Sequence, residues 1–382
     1  MILIGVQPYV LLSCLTLSIL AERTMTHMVL YSLKTCSEDM ELLMSETQAA
    51  NVTNGPATSA RQHTPRWLVI IVACIFAAII PETVLTSSTS VLKIIVNPAS
   101  VVYLSIFYGT AMLIIREAII RRPASWLSVV LLGIAFGCCN EGVVAGTWYT
   151  VRNDGYLFFG SVDVAWAVGL TVFHLFISML LTIAFTDILF PSRAGQPLLG
   201  RRGSIIAPLL FVLCNALVVF APNFRAERLI VLGAALLLAV IALRLPPTRL
   251  NKVIRDVPPP RFWVLRLVGF LTYMIYFVLL YFYPLVIGGL PGVSPDVAQY
   301  IIIATMVGFA AIVLMRGVGW LRTNGWGVRH NLALMTGVVV FEVLITTLVS
   351  SQVALLEPVA TVPIFLFLLV RNWQLQRREH VV

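Results

Sequence analysis

From Trp67 to Arg371 the chain repeats one pattern. An apolar block of about twenty residues is followed by a short polar connection, as a helix crossing a bilayer requires. Ten such blocks are readable, at roughly 67–88, 99–120, 126–147, 163–189, 204–222, 226–244, 262–288, 296–315, 331–350 and 354–371. The connections hold helix breakers and turn formers, such as Pro191, Gly195 and Pro197 in one and Pro246, Pro247, Pro258, Pro259 and Pro260 in another. The pattern predicts an all-α fold, a polytopic transmembrane helical bundle of about ten spans.

Composition agrees with this, and charge orients it. The chain is 59% hydrophobic and 11% charged, whereas soluble domains carry about a quarter of charged residues. With the segment before span 1 placed in the cytoplasm, twenty Lys and Arg residues fall on inner segments or inner span ends. Four fall outside, namely Lys93, Arg152, Arg225 and Arg228, with Arg23 and Lys34 left out of the count. The bias places both the N and the C terminus in the cytoplasm. It also explains the net charge of +9 without a nucleic-acid role, since no soluble module gathers these residues into a surface. The lipid bilayer is the one partner that composition implies. Cys74, Cys138, Cys139 and Cys214 lie in apolar spans without metal-ligand spacing, so they read as small packing residues. No phosphate-loop, dinucleotide, nucleophile-elbow or zinc-protease motif occurs, and neither a metal nor a cofactor is expected.

The basic loop 245–261 divides the body into residues 67–244, with spans 1–6, and residues 262–371, with spans 7–10; a basic tail follows at 372–382. Residues 1–66 read as a poorly ordered or mis-started segment. Met1–Ala21 is apolar enough for an extra helix but lacks the basic start and cleavage site of a signal peptide. Met44 opens a polar stretch that suits a cytoplasmic beginning better. The Asn51 sequon falls on the predicted inner side, where it carries no glycan. No internal repeat is visible.

Ionised groups inside a span cost several kcal/mol unless they are paired, protonated or face a polar cavity. Few are present. Glu82 follows Pro81 in span 1, Asn140 and Glu141 lie in span 3, and His174 lies in span 4. Counted from Trp67 and Trp126, both glutamates are fifteen residues in, roughly 22 Å at the rise of an α-helix. His174, eleven residues below the outer end of its span, reaches a similar depth. Gly133 and Gly137 mark a face where helices approach closely, and Asn140 and Glu141 lie within about 100° of it. A second pair, Gly142 and Gly146, covers the opposite side and makes span 3 the expected centre of the bundle. Purely structural hydrogen bonding would also account for Glu82, Glu141 or His174 taken singly. Arg116 and Glu117 in span 2 read as an inner interfacial pair or as a polar path end, and Asp187 shares that interfacial reading. Glu342 stands alone near the middle of span 9 and is a candidate proton or gating group.

Several elements in residues 80–203 carry a resemblance: Pro81-Glu82, Ile115-Arg116-Glu117, Gly133 and Gly137 leading into Asn140-Glu141-Gly142, Phe173-His174 and Leu189-Phe190-Pro191. In that order they resemble an uncharacterised family of bacterial and archaeal multi-pass membrane proteins, whose third-span motif is usually Glu-Glu-Gly. Asn140 replaces the first acid here. The resemblance implies a shared fold and the plasma membrane of a prokaryote, and it brings no activity. A more distant similarity is to glutamate-dependent intramembrane proteases of the CAAX-processing type. Those pair a Glu-Glu motif with a histidine on the next span to activate water, which would make Glu141 and His174 catalytic. Asn140, Ala145 in place of the motif's arginine, and the lack of a later His-x-x-x-Asn depart from it.

The function expected from these residues is a transporter or permease-like protein. Its intramembrane proton or substrate site would draw on Glu82, Asn140, Glu141, His174, Arg116, Glu117 and Glu342. The alternatives are a glutamate-type intramembrane hydrolase and a non-catalytic membrane assembly or immunity protein.

Overall fold

Long apolar segments without water partners must satisfy their own backbone, and this chain does so with helices. The computed structural model describes residues 64–85, 97–121, 125–149, 158–159, 162–220, 224–246, 257–288, 290–349, 363–364, 366–368 and 370–371. Met1–Ala21, Met44, the Asn51 sequon, residues 1–63 and all of 372–382 lie outside the described residues, as do most of the basic loop and much of the tenth block.

Eleven α-helices are used below: α1 (Arg66–Ile79), α2 (Pro98–Arg121), α3 (Trp126–Gly137), α4 (Val164–Phe173), α5 (Thr182–Leu189), α6 (Gly203–Val219), α7 (Glu227–Arg244), α8 (Phe262–Phe277), α9 (Tyr283–Gly288), α10 (Pro295–Leu321) and α11 (Val328–Val349). Four π-helical turns extend or join them, at Ile80–Val84 after α1, Cys138–Val144 after α3, His174–Leu181 between α4 and α5, and Val278–Phe282 between α8 and α9. Short turns and coil connect these elements, and the described residues include one two-residue antiparallel pair, Phe158–Phe159 with Val162–Asp163. Six helices among the described residues are long and apolar enough to cross a membrane: Pro98–Arg121, Trp126–Val144, Val164–Leu189, Phe262–Phe282, Asp296–Leu321 and Val328–Ile345. A multi-pass helical membrane bundle follows.

Local chemistry sets several helix starts. Ser125 caps α3 by accepting the Ser128 amide at 3.0 Å, and Asp163 caps α4 by accepting the Trp166 amide at 3.0 Å. Pro295, in the first turn of α10, has no amide hydrogen to leave unpaired. The end of α10 corrects the reading of the eighth block, because the helix continues to Leu321 rather than stopping at 315. Arg316 does not break it: its exposed side chain leaves the bundle while the backbone ladder runs on.

Two apolar cores divide the bundle. One is built by α1, α2, α3, α6 and α7, with Phe107, Tyr108, Met112 and Phe136 at its middle. The other is built by α4, α5, α8, α10 and α11, with Phe173, Phe185, Tyr273 and Met335. Glycines set the closest crossings. A side chain at Gly269 would strike the Leu334 carbonyl, and one at Gly337 would strike the Arg266 carbonyl, so α8 and α11 meet backbone to backbone. Gly137 likewise admits Thr171 of α4, its would-be Cβ 3.0 Å from the Thr171 Cα. Gly142 faces Val231 of α7 instead. Span 3 therefore packs α4 on one side and α7 on the other, and its window is 72% buried, the highest value among the six.

Candidate functional site

The polar residues of the first four spans come together where the two cores meet. Glu82 sits in the π turn after α1, Asn140 and Glu141 in the π turn after α3, and His174 opens the π turn after α4. A π turn closes i→i+5 hydrogen bonds and widens the helix, a geometry that recurs at functional sites. The bonds Leu85 N to Ile80 O at 3.0 Å and Ala145 N to Asn140 O at 2.7 Å close two of them. Pro81 has no amide to offer the ladder, which makes the first of these turns a natural place for it.

Within this frame Glu141 is fully coordinated. His174 Nε2 lies 2.7 Å from its Oε1, the Asn140 amide donates to the same oxygen at 3.0 Å, and Thr147 donates to Oε2. Three donors on one buried carboxylate satisfy an ionised group without water. The second imidazole nitrogen, His174 Nδ1, is 2.7 Å from Ser178 Oγ one turn along. With the Nε2 proton aimed at Glu141, Nδ1 accepts from that hydroxyl; with both nitrogens protonated, it donates to it. The imidazole thus has a partner in either charge state. Aromatic edges hold it in place, with Phe173, Phe136 and Tyr108 ring centres at 5.3, 5.7 and 6.1 Å.

Asn140 extends the network toward span 1. Its amide donates to the Tyr108 hydroxyl oxygen at 2.8 Å and lies 2.9 Å from His174 Nε2. Tyr108 in turn donates to Glu82 Oε1. Side chains from four consecutive spans form one chain: Glu82, Tyr108, Asn140, Glu141, His174, Ser178. Glu141 and His174 are only 8% and 2% exposed, so the pair is shut off from bulk solvent.

The remaining sequence candidates lie elsewhere. Arg116 is two turns from Tyr108 along α2, roughly 12 Å. It is buried against Asp187 at 2.9 Å and also donates to the carbonyls of Gln196 at 2.9 Å and Arg193 at 3.0 Å. Glu117 accepts the Leu198 and Leu199 amides at 2.6 and 3.0 Å and pairs with Arg121. Adjacent helix positions diverge by about 100°, so Arg116 and Glu117 do not pair with each other. Together they strap the segment 193–199 across the C-terminal end of α2. Glu342 is not alone as the sequence suggested. Tyr273 of α8 lies beside it, and the Tyr273 hydroxyl donates to the Leu85 carbonyl at the end of the first π turn. A search for charges does not find an uncharged partner such as tyrosine.

Tyr108, Thr147, Ser178 and Tyr273 are the members that the sequence did not disclose. Tyr108 carried one weak signal, its place mid-span rather than at an interface where tyrosines gather. The wide turns also free backbone acceptors inside the bundle. Leu85 O takes Tyr273, Val143 O takes Arg228 at 3.0 Å, and Ile177 O takes Thr182 Oγ1 at 3.3 Å. Among the described residues no group of three His, Cys, Asp or Glu side chains is arranged to hold a metal ion.

A family model for an uncharacterized membrane protein family matches residues 67–373. No curated protein and no solved structure matches the chain.

Proposed function

The chain belongs to this uncharacterized membrane protein family, and from its intramembrane site we propose that it is a transporter or permease-like protein with Glu141 and His174 as its proton-binding pair. One observation supports the reading above others: a buried carboxylate and a buried imidazole, contributed by neighbouring spans, share a hydrogen bond of 2.7 Å. A proton held between two helices changes the attraction between them when it leaves, which is the coupling a carrier needs. Tyr108 in span 2 and Glu82 in span 1 give the pair polar neighbours, while Asn140, an amide, fixes geometry rather than passing protons. Ten spans with both termini cytoplasmic, in the plasma membrane of a prokaryote, complete the proposal. Hydrolysis is the weaker reading, because Glu141 spends both oxygens on protein donors where a hydrolase would direct one at water.

The test replaces Glu141 with Gln and His174 with Ala in cells lacking the native chain. Both variants should lose complementation of the deletion phenotype. In the purified protein, infrared difference spectra across an acid step should contain a carboxylic acid band that Glu141→Gln removes. Full complementation by both variants, or an unchanged band in the glutamine variant, would sink the proposal.

A further inference from the structure

Beyond the proton pair, the outer end of span 3 carries a set of polar groups that the site above does not use. Thr147–Tyr149 form a short 3-10 turn directly after the Glu141 π turn. Trp148 and Tyr149 pack there with Ala167, against Val162 and Val231. Both rings are more than nine-tenths buried, at 8% and 5% exposure. Among the described residues, neither the Trp148 indole N–H nor the Tyr149 hydroxyl has a hydrogen-bond partner. Arg228, at the start of α7, reaches the same place. Its Nη1 is bound to the Val143 carbonyl at 3.0 Å, but its buried Nε has no acceptor among the described residues.

The parts are held close together. Arg228 and Arg225 lie over the Tyr149 ring, their guanidinium carbons 5.9 and 5.8 Å from its centre. Gly142 touches both Trp148 and Val231, a turn along from Arg228. Gly146 has φ of 68°, and a Cβ there would run into the Arg228 guanidinium. Glycine therefore serves twice, for the left-handed backbone and for the room. Burial pushes the Tyr149 hydroxyl above its ordinary pKa, Arg228 pulls it back, exposed Glu227 adds to the rise and Arg225 opposes it. The phenol stays protonated at neutral pH and is able to donate.

Each buried donor left without an acceptor costs about 1–3 kcal/mol. Three such donors beside two arginines call for a ligand that only accepts. We infer that the outer ends of α3 and α7 form a binding site for a small oxyanion, held by Arg228, Tyr149 and Trp148. Thr147 links it to the proton pair, since its hydroxyl donates to Glu141 while its neighbour Trp148 lines the anion site. The substrate class of the proposed carrier is thus an anion, an assignment that rests on the transport reading; the binding site itself does not.

Calorimetric titration of the purified full-length chain in detergent tests the site. Inorganic phosphate, acetate and a short-chain phosphatidic acid are the probes, separating a free phosphate, a carboxylate and a lipid headgroup. At least one should bind saturably. Tyr149→Phe, which removes a single oxygen from a ring that stays packed, should weaken that binding at least threefold. Arg228→Gln should weaken it at least tenfold. No saturable binding of any probe, or binding that Tyr149→Phe leaves unchanged, overturns the inference. Anion binding by a protein whose Glu141 carboxyl band fails to appear would overturn the proton reading alone; the reverse pattern would overturn the anion site alone.

Discussion

Tyr108 joins two parts of the site through one oxygen, accepting from Asn140 and donating to Glu82. Tyr108→Phe keeps the ring among Phe107 and Phe136 but removes an acceptor from the Asn140 amide and a donor from Glu82. A hydrogen bond to a charged group contributes about 1.5–3 kcal/mol. The variant should unfold at a clearly lower temperature in detergent, and an unchanged midpoint would show that the bridge does not matter. At this scale the sequence was legible where polarity is rare. Glu82, Asn140, Glu141 and His174 stand out because little else in those spans is charged or strongly polar. Tyr108, Thr147 and Ser178 did not, because tyrosine, serine and threonine are ordinary in membrane helices and only a neighbour gives them a role. Arg116 and Glu117 drew attention by charge, yet their bonds go to a loop far along the chain, with Glu117 reaching Leu198 and Leu199 at separations of 81 and 82 residues.

Among the elements, the crossing of α8 and α11 is the most exposed to a single change. Gly337 lies against the Arg266 carbonyl and the Phe270 amide, and Gly269 against the Leu334 carbonyl. A backbone neighbour does not rotate aside as a side chain does. Gly337→Val should lower stability by about 1–3 kcal/mol, as overpacking does, read as loss of folded monodisperse protein on heating. Gly317→Val, in open space on α10, is the control that should stay near wild type. Helix positions were readable from the apolar blocks because block length and helix length are set by the same membrane thickness. The π turns were not. The five to eight residues of a π turn carry no signature that an α-helical stretch lacks, and only the hydrogen-bond register separates them.

For the whole molecule, Arg116 and Glu117 fix the 193–199 connection to the C-terminal end of α2, and the charge bias along the chain predicts that this connection is cytoplasmic. Arg193, which also donates to the Thr64 carbonyl at 3.0 Å, ties the approach to α1 to the same end. A reporter fused after Arg202 should therefore remain cytoplasmic, and an external signal would overturn the ten-span orientation. The π turn at Cys138–Val144 has a further consequence, for chain length. Such a turn holds one residue more than an α-helix needs, while the helix on either side stays in phase. Removing one residue there would let the helix close without turning its two ends relative to each other, whereas a deletion elsewhere would rotate every later side chain by about 100°. The bundle thus has slack at the very place where Glu141 is presented. A chain shortened by one residue in that turn would keep its packing and lose the presentation of its site, a separation of fold from function made by the backbone.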